Sequence, residues 1–279
     1  MGNTLPRNPS RDDYIVYAEK IEKSKPDRAV EIYQDIVREL RLEKNWAEAI
    51  DILLKMARLQ VDQEKAKSFT DIANLYKKID SKELYVKYLE QAINVYKSFG
   101  GFSNCGKYCV LIAEDYESAL DYKNAIEYYT RAIDYYGMAD MDSNSTRYSI
   151  KLAILSSLDP NRVEDAIILF EKVAENYSKN KLTVYNVPEY LFRAGLCRLL
   201  KNDLEDFRKA ITNYSIVYPI FSTRRESTLL NMILDSIEAR DTNGFTALVV
   251  DYNNQSTIDD WTTSMLLAIK KTISDNNLC

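Results

Sequence analysis

The sequence predicts an all-α fold: a solenoid of stacked helical hairpins closed by a C-terminal helical bundle. Three observations predict it. Apolar residues spaced three and four apart run through almost the whole chain, the pattern of amphipathic helices. Only 7 Gly and 6 Pro interrupt 279 residues, too few for the many turns of an all-β protein. Two residue series repeat with a period near 40, and after Tyr218 the period fails while helical patterning continues.

The elements follow in chain order. "PDRAVEIYQDIVREL" begins with Pro26, suited to a first helical position because its missing N–H is unsatisfied there anyway. "KNWAEAIDILLKMARLQ" is a looser first unit with Trp46 and Ala49 on its inner side. Four first helices then start alike, "FTDIANLY", "YCVLIAEDY", "YSIKLAILS" and "YLFRAGLC". Their alanines are Ala73, Ala113, Ala153 and Ala194, in steps of 40, 40 and 41. Each is followed by a second helix whose last tyrosine is Tyr96, Tyr136, Tyr177 or Tyr218, in steps of 40, 41 and 41. A small residue lets the partner helix approach closely, and an aromatic fills the space between hairpins. Each hairpin buries its faces only against its neighbours, so several copies are needed. The period exceeds the roughly 34 residues of tetratricopeptide (TPR) units, so these are longer relatives of them. "YPIFSTRRES" breaks the array, and the helices after it, ending at Ile273, form the bundle. The expected division is therefore a TPR-like array over residues 1–218 and a bundle with a short polar tail over 219–279.

Composition narrows the chemistry. There is no histidine, which excludes Ser-His-Asp and Cys-His catalysis and His-ligated zinc. Cys105, Cys109, Cys197 and Cys279 form no C-x-x-C pair and read as free thiols of a reducing cytoplasm. "GFSNCGKY" satisfies G-x-x-x-x-G-K, but Tyr108 stands where magnesium needs Ser or Thr, and helix rather than strand precedes it. Neither a catalytic site, a metal nor a cofactor is expected. No signal peptide and no apolar run of membrane-spanning length occurs. A formal charge of −5 argues against nucleic acid as a partner, though not against a local basic face.

The charged residues admit two readings, an arranged docking face or scattered solubilising charge. Lys107, Lys151 and Arg193 recur on first helices, and Arg224 and Arg225 follow the last repeat. A stack with a steady twist would place such residues on one side, suited to a long acidic partner. "DLED" (from Asp203) and "DSIEARD" (from Asp235) make the C-terminal part locally acidic. The polar tail carries one apolar residue, Leu278, at the penultimate position.

Several strings together resemble the soluble NSF attachment proteins of the alpha type. They are "KNWAEAI", "DIANLYKKIDSKE" with "QAINVY", "IAEDYE", "DYYGMADMDSNS" and above all "DDWTTSMLLAIKKTI", in order over positions 26 to 279. The resemblance implies a twisted TPR-like solenoid and an adaptor that is not an enzyme. Several copies would wrap a SNARE four-helix bundle and recruit the hexameric AAA ATPase NSF, which pulls the bundle apart during vesicle traffic. It implies SNARE contacts at Lys107, Lys151, Arg193 and Arg225, and NSF contacts at Asp203, Asp235, Glu238 and Leu278. A third acidic position of the family falls on Ala239, leaving Asp241 as its substitute. The family's apolar membrane loop is replaced by "KSKPD" at Lys23 to Asp27. That implies a cytoplasmic protein with weak peripheral membrane contact through Lys20, Lys23, Lys25 and Arg28. The alternative is a helical-repeat scaffold, such as a coat subunit or chaperone cofactor, that does not stimulate NSF.

Overall fold

The computed structural model describes residues 9–275, with side chains as far as Ile273. Within them the chain is helical without strands, as the periodicity predicts, and it divides into two compact units at Met141 and Asp142. The first unit holds α1 (Arg11–Ile21), α2 (Pro26–Leu42), α3 (Trp46–Leu59), α4 (Asp62–Lys78), α5 (Lys82–Ser98), α6 (Phe102–Ser118) and α7 (Tyr122–Met138). The second holds α8 (Asp142–Ser157), α9 (Val163–Ser178), α10 (Val187–Leu200), α11 (Leu204–Val217), α12 (Pro219–Ser222), α13 (Arg225–Glu238), α14 (Thr242–Gln255) and α15 (Asp260–Asp275).

In the first unit the repeated residues do what their spacing predicts. Ala73 and Ala113 are wholly buried, and Tyr96 and Tyr136 nearly so. Tyr96 stacks on Tyr108 of the next helix at 5.6 Å between ring centres. Tyr136 lies against Gly106, where a Cβ would come within 2.9 Å of the tyrosine ring. So the glycine that mimics a nucleotide-binding motif is there for helix packing. Helix starts are made locally: Ser10 and Asp13 form a capping box on α1, and Asn45 and Asp121 cap α3 and α7.

Four helix ends in this unit share one device. Lys44, Asp80, Gly100 and Leu120 each adopt a left-handed conformation just past a helix. The next amide then bonds back to a carbonyl five residues earlier: Asn45 to Leu40, Ser81 to Tyr76, Gly101 to Tyr96 and Asp121 to Tyr116, at 2.8–3.0 Å. This is the Schellman closure, which satisfies carbonyls that a helix end leaves open. Links of two or three residues therefore suffice between successive helices from α2 to α7. Leucine is a poor residue for this backbone region. At φ 58° and 71% exposed, Leu120 gains nothing from its side chain. Leu120→Gly is expected to stabilise the protein by about 0.5–1 kcal/mol after glycine's entropy is deducted. A higher urea midpoint with an unchanged slope would show it, and a lower midpoint would refute it.

The second unit does not divide where the period fails. Phe170, Leu191, Leu196, Phe207 and Ile211 of the repeats share one core with Phe221, Leu230, Ile233, Ile269 and Ile273 of the bundle. A Cβ on Gly195 of α10 would lie 2.6 Å from Leu230 of α13, so those helices touch at the glycine. Trp261 of α15 donates from Nε1 to Ser157 Oγ at 2.8 Å and meets Phe170 edge-on. The expected boundary at 218/219 marks the end of the repeat pattern, whereas packing joins the bundle to the last hairpins.

Candidate docking faces

In the first unit, Lys107 stands exposed on α6, its Nζ 5.6 Å from the Tyr108 ring centre. The same unit holds a second group of cations that the sequence did not single out. Arg38 and Arg41 of α2 and Lys67 of α4 line a pocket of about 350 Å³ with Ser68, Gln60 and Asp71. Arg41 is tied to Asp71 at 3.3 Å and Arg38 to Asp35 at 2.5 Å, while Lys67 forms no ion pair among the described residues. No local spacing announces this group, because Arg38 and Arg41 come from α2 and Lys67 from α4.

In the second unit, Arg225 opens α13 and is exposed. Its guanidinium donates a long hydrogen bond, 3.5 Å, to the Gln255 carbonyl and forms no ion pair among the described residues. Arg224 beside it is exposed and forms no ion pair among the described residues. Lys151 is half-buried on α8. Arg193 departs from the expectation of an open cation. Its side chain is only 13% exposed, with Nη2 2.9 Å from both Glu189 and Asp259 and the guanidinium over the Trp261 ring at 5.1 Å. A pocket of about 340 Å³ collects Arg193, Arg224, Glu226, Tyr252 and Asp259. Burial alone would raise the Asp259 carboxyl. Hydrogen bonds from Thr262 and the Arg193 charge outweigh it and hold that carboxyl below its ordinary range.

The acidic candidates gather at one end of this unit. Asp203 is exposed and caps α11, accepting the Asp206 amide at 2.9 Å. Asp235 and Glu238 are exposed and three residues apart on α13, hence on one face. Arg208, in the second turn of α11, pairs with Glu238 in the last turn of α13, so the start of one helix adjoins the end of the other. Asp241 spends Oδ1 on the amides of Asn243 and Gly244, capping α14. The end is not purely acidic, because Arg208, Lys209 and Arg240 interleave with the carboxylates. Leu278 lies outside the described residues.

Comparison with known proteins gives these residues a context. The family model described as "Soluble NSF attachment protein, SNAP" matches residues 19–274. The chain belongs to the soluble NSF attachment protein family. The beta-soluble NSF attachment protein of Bos taurus is 32% identical over 252 residues, 88% of this chain and 84% of its own. The alpha-soluble NSF attachment protein of Homo sapiens is 32% identical over 255 residues, 90% and 85% of the two chains. A probable vesicular-fusion protein sec17 homolog of Schizosaccharomyces pombe is 30% identical over 257 residues, 90% and 88%. Among solved structures, the apo form of RapI aligns with 94% of this chain and 82% of its own, at TM-score 0.44 and 13% identity, which carries no functional reading. Among the described residues of this chain no helix is long and apolar enough to cross a membrane, and no cluster of metal-binding side chains forms.

Proposed function

We propose that this chain is an adaptor that binds assembled SNARE four-helix bundles and brings an NSF-type AAA ATPase to them, several copies acting on each bundle. The observation that carries the reading is the family match through α15, joined to exposed cations on helices of both units. Lys107 and Arg225, with Lys151, meet the acidic bundle by long-range attraction, which needs little side-chain detail and so serves many bundles. Asp203, Asp235 and Glu238 form the ATPase-facing end, with Leu278 as a short apolar plug beside it. The adaptor performs no catalysis. It is cytoplasmic and reaches membranes through SNAREs, with weak help from the lysines of "KSKPD". One observation favours the second reading, a helical-repeat scaffold that does not stimulate NSF: the basic residues interleaved at the acidic end.

ATP turnover by the ATPase with a SNARE bundle decides between them. The full chain is expected to raise turnover severalfold, and a chain ending at Asn277 to lose most of that rise while still binding the bundle. A rise that survives the truncation removes Leu278 from the mechanism. No rise, with protein folded and bundle bound, favours the scaffold.

A further inference from the structure

Arg193 was expected to face the partner, and its surroundings assign it elsewhere. It sits in the middle of α10, and Asp259 is the residue immediately before α15. That carboxylate is fully employed. Oδ1 accepts the Thr262 amide at 2.7 Å, which satisfies an open donor of the first turn of α15. Oδ2 accepts from Arg193 at 2.9 Å. One side chain therefore both starts α15 and ties that start to α10. The same guanidinium lies over Trp261, whose ring also meets Phe170 edge-on and is held through Nε1 by Ser157. Glu189, one turn before Arg193, holds the guanidinium in place.

We propose that Arg193 is a positioning residue, a latch that fixes the start of α15 against α10 and so sets the orientation in which α15 meets the ATPase, and not a contact for the SNARE bundle. The second half rests on the adaptor reading above; the first does not. Packing of Met265, Leu266, Ile269 and Ile273 would hold α15 onto the core without it, but apolar packing tolerates sliding and rotation. A charged hydrogen bond at the first turn sets the rotation of the helix, since it is directional and is strong only near linear geometry.

The test uses the full-length protein with Arg193→Met, which keeps the aliphatic stem against Trp261, and with Asp259→Asn, which keeps the capping oxygen. Amide exchange in the first turns of α15 is expected to quicken by roughly tenfold or more in either variant, the loss of a hydrogen bond to a charged group. The pair together should add little, because both remove one interaction. Arg193→Lys should restore part of the protection. In the turnover assay, Arg193→Met should lower the maximal stimulation severalfold and leave the half-saturating bundle concentration within about twofold. Arg225→Gln should do the reverse. Unchanged exchange in α15 with weakened bundle binding would overturn the latch and make Arg193 a contact. Fast exchange with full stimulation would overturn the positioning role. If the parent chain itself gives no stimulation, the adaptor reading fails, while the exchange result still decides the latch.

Discussion

Above about pH 10 the protein is expected to unfold steeply, after a plateau of nearly constant stability from about pH 6 to 8. The cause is compositional and structural together. With no histidine, no side chain titrates at its ordinary value within the plateau. The chain instead carries 21 tyrosines, and Tyr33, Tyr85, Tyr96 and Tyr214 are buried. Burial first, and neighbouring carboxylates or phenols second, push all four phenols upward, Tyr96 to about 12 and the others further. The buried thiols move the same way, Cys105 to about 11 and Cys109 and Cys197 to about 12. The sign follows. Below the unfolded values these groups hold their protons in both states and their stabilising effect is complete. Above them the unfolded chain ionises and the folded chain does not, so stability falls as pH rises toward the folded values. Each tyrosine contributes a slope of about 1.4 kcal/mol per pH unit, so four remove about 5.5 kcal/mol over one pH unit, against a typical total of about 5–15 kcal/mol. The acid side runs oppositely. Asp121 and Asp259 are held below the ordinary carboxylate range, so their contribution is present above about pH 4 and lost below it. Tyrosinate absorbance and helicity, followed on the same base titration, check the prediction. Tyrosinate forming in full by about pH 12 with helicity intact would refute it.

The second large effect belongs to Arg198 in the second unit. Its guanidinium, 14% exposed, pairs with Glu171 at 2.8 Å and with Asp206, and donates to Tyr214 Oη at 3.2 Å, while Tyr214 donates to Glu171. Three helices, α9, α10 and α11, are joined through this one side chain. Arg198→Met preserves the stem and removes the charge, which leaves two carboxylates and a phenol without their cation. Breaking a fully buried pair in this way costs about 3–5 kcal/mol, and the partial exposure of Glu171 and Asp206 lowers the expectation to about 2–4. Urea unfolding reports it through Trp261 in a Trp46→Phe background, since the chain has only two tryptophans and Trp261 lies in the affected unit. A loss below about 1 kcal/mol would mean that the network is a surface decoration.

Much of the fold was legible because it is periodic. Ala73, Ala113, Ala153 and Ala194 are all fully buried, and small residues at a fixed step have no other reason to recur. Tyr177 stacks on Tyr190 as its place in the tyrosine series suggests. The limit of the second unit was not legible, because a break in a repeat marks a change of pattern and says nothing about which helices share a core. The candidate site divides in the same way. Asp203 stands in the acidic string "DLED", and the partner it caps, the Asp206 amide, lies within that same string. Arg193 differs: Asp259 lies 66 residues away, and no local pattern distinguishes a cation aimed at solvent from one claimed by a distant helix.

The Schellman closures carry a mechanical consequence. From α2 to α7, links of two or three residues span at most about 10 Å when fully extended, and most are already closed by a backward hydrogen bond. A pull along this stretch finds no slack to unreel. Load must pass directly into the sides of the helices, where the ion pairs Lys77–Asp115 and Arg131–Glu90 and the stacked rings bridge one hairpin to the next. Along α2 to α7, slack is therefore scarce at the joints, and a pull loads the contacts between hairpins before it lengthens a closed link.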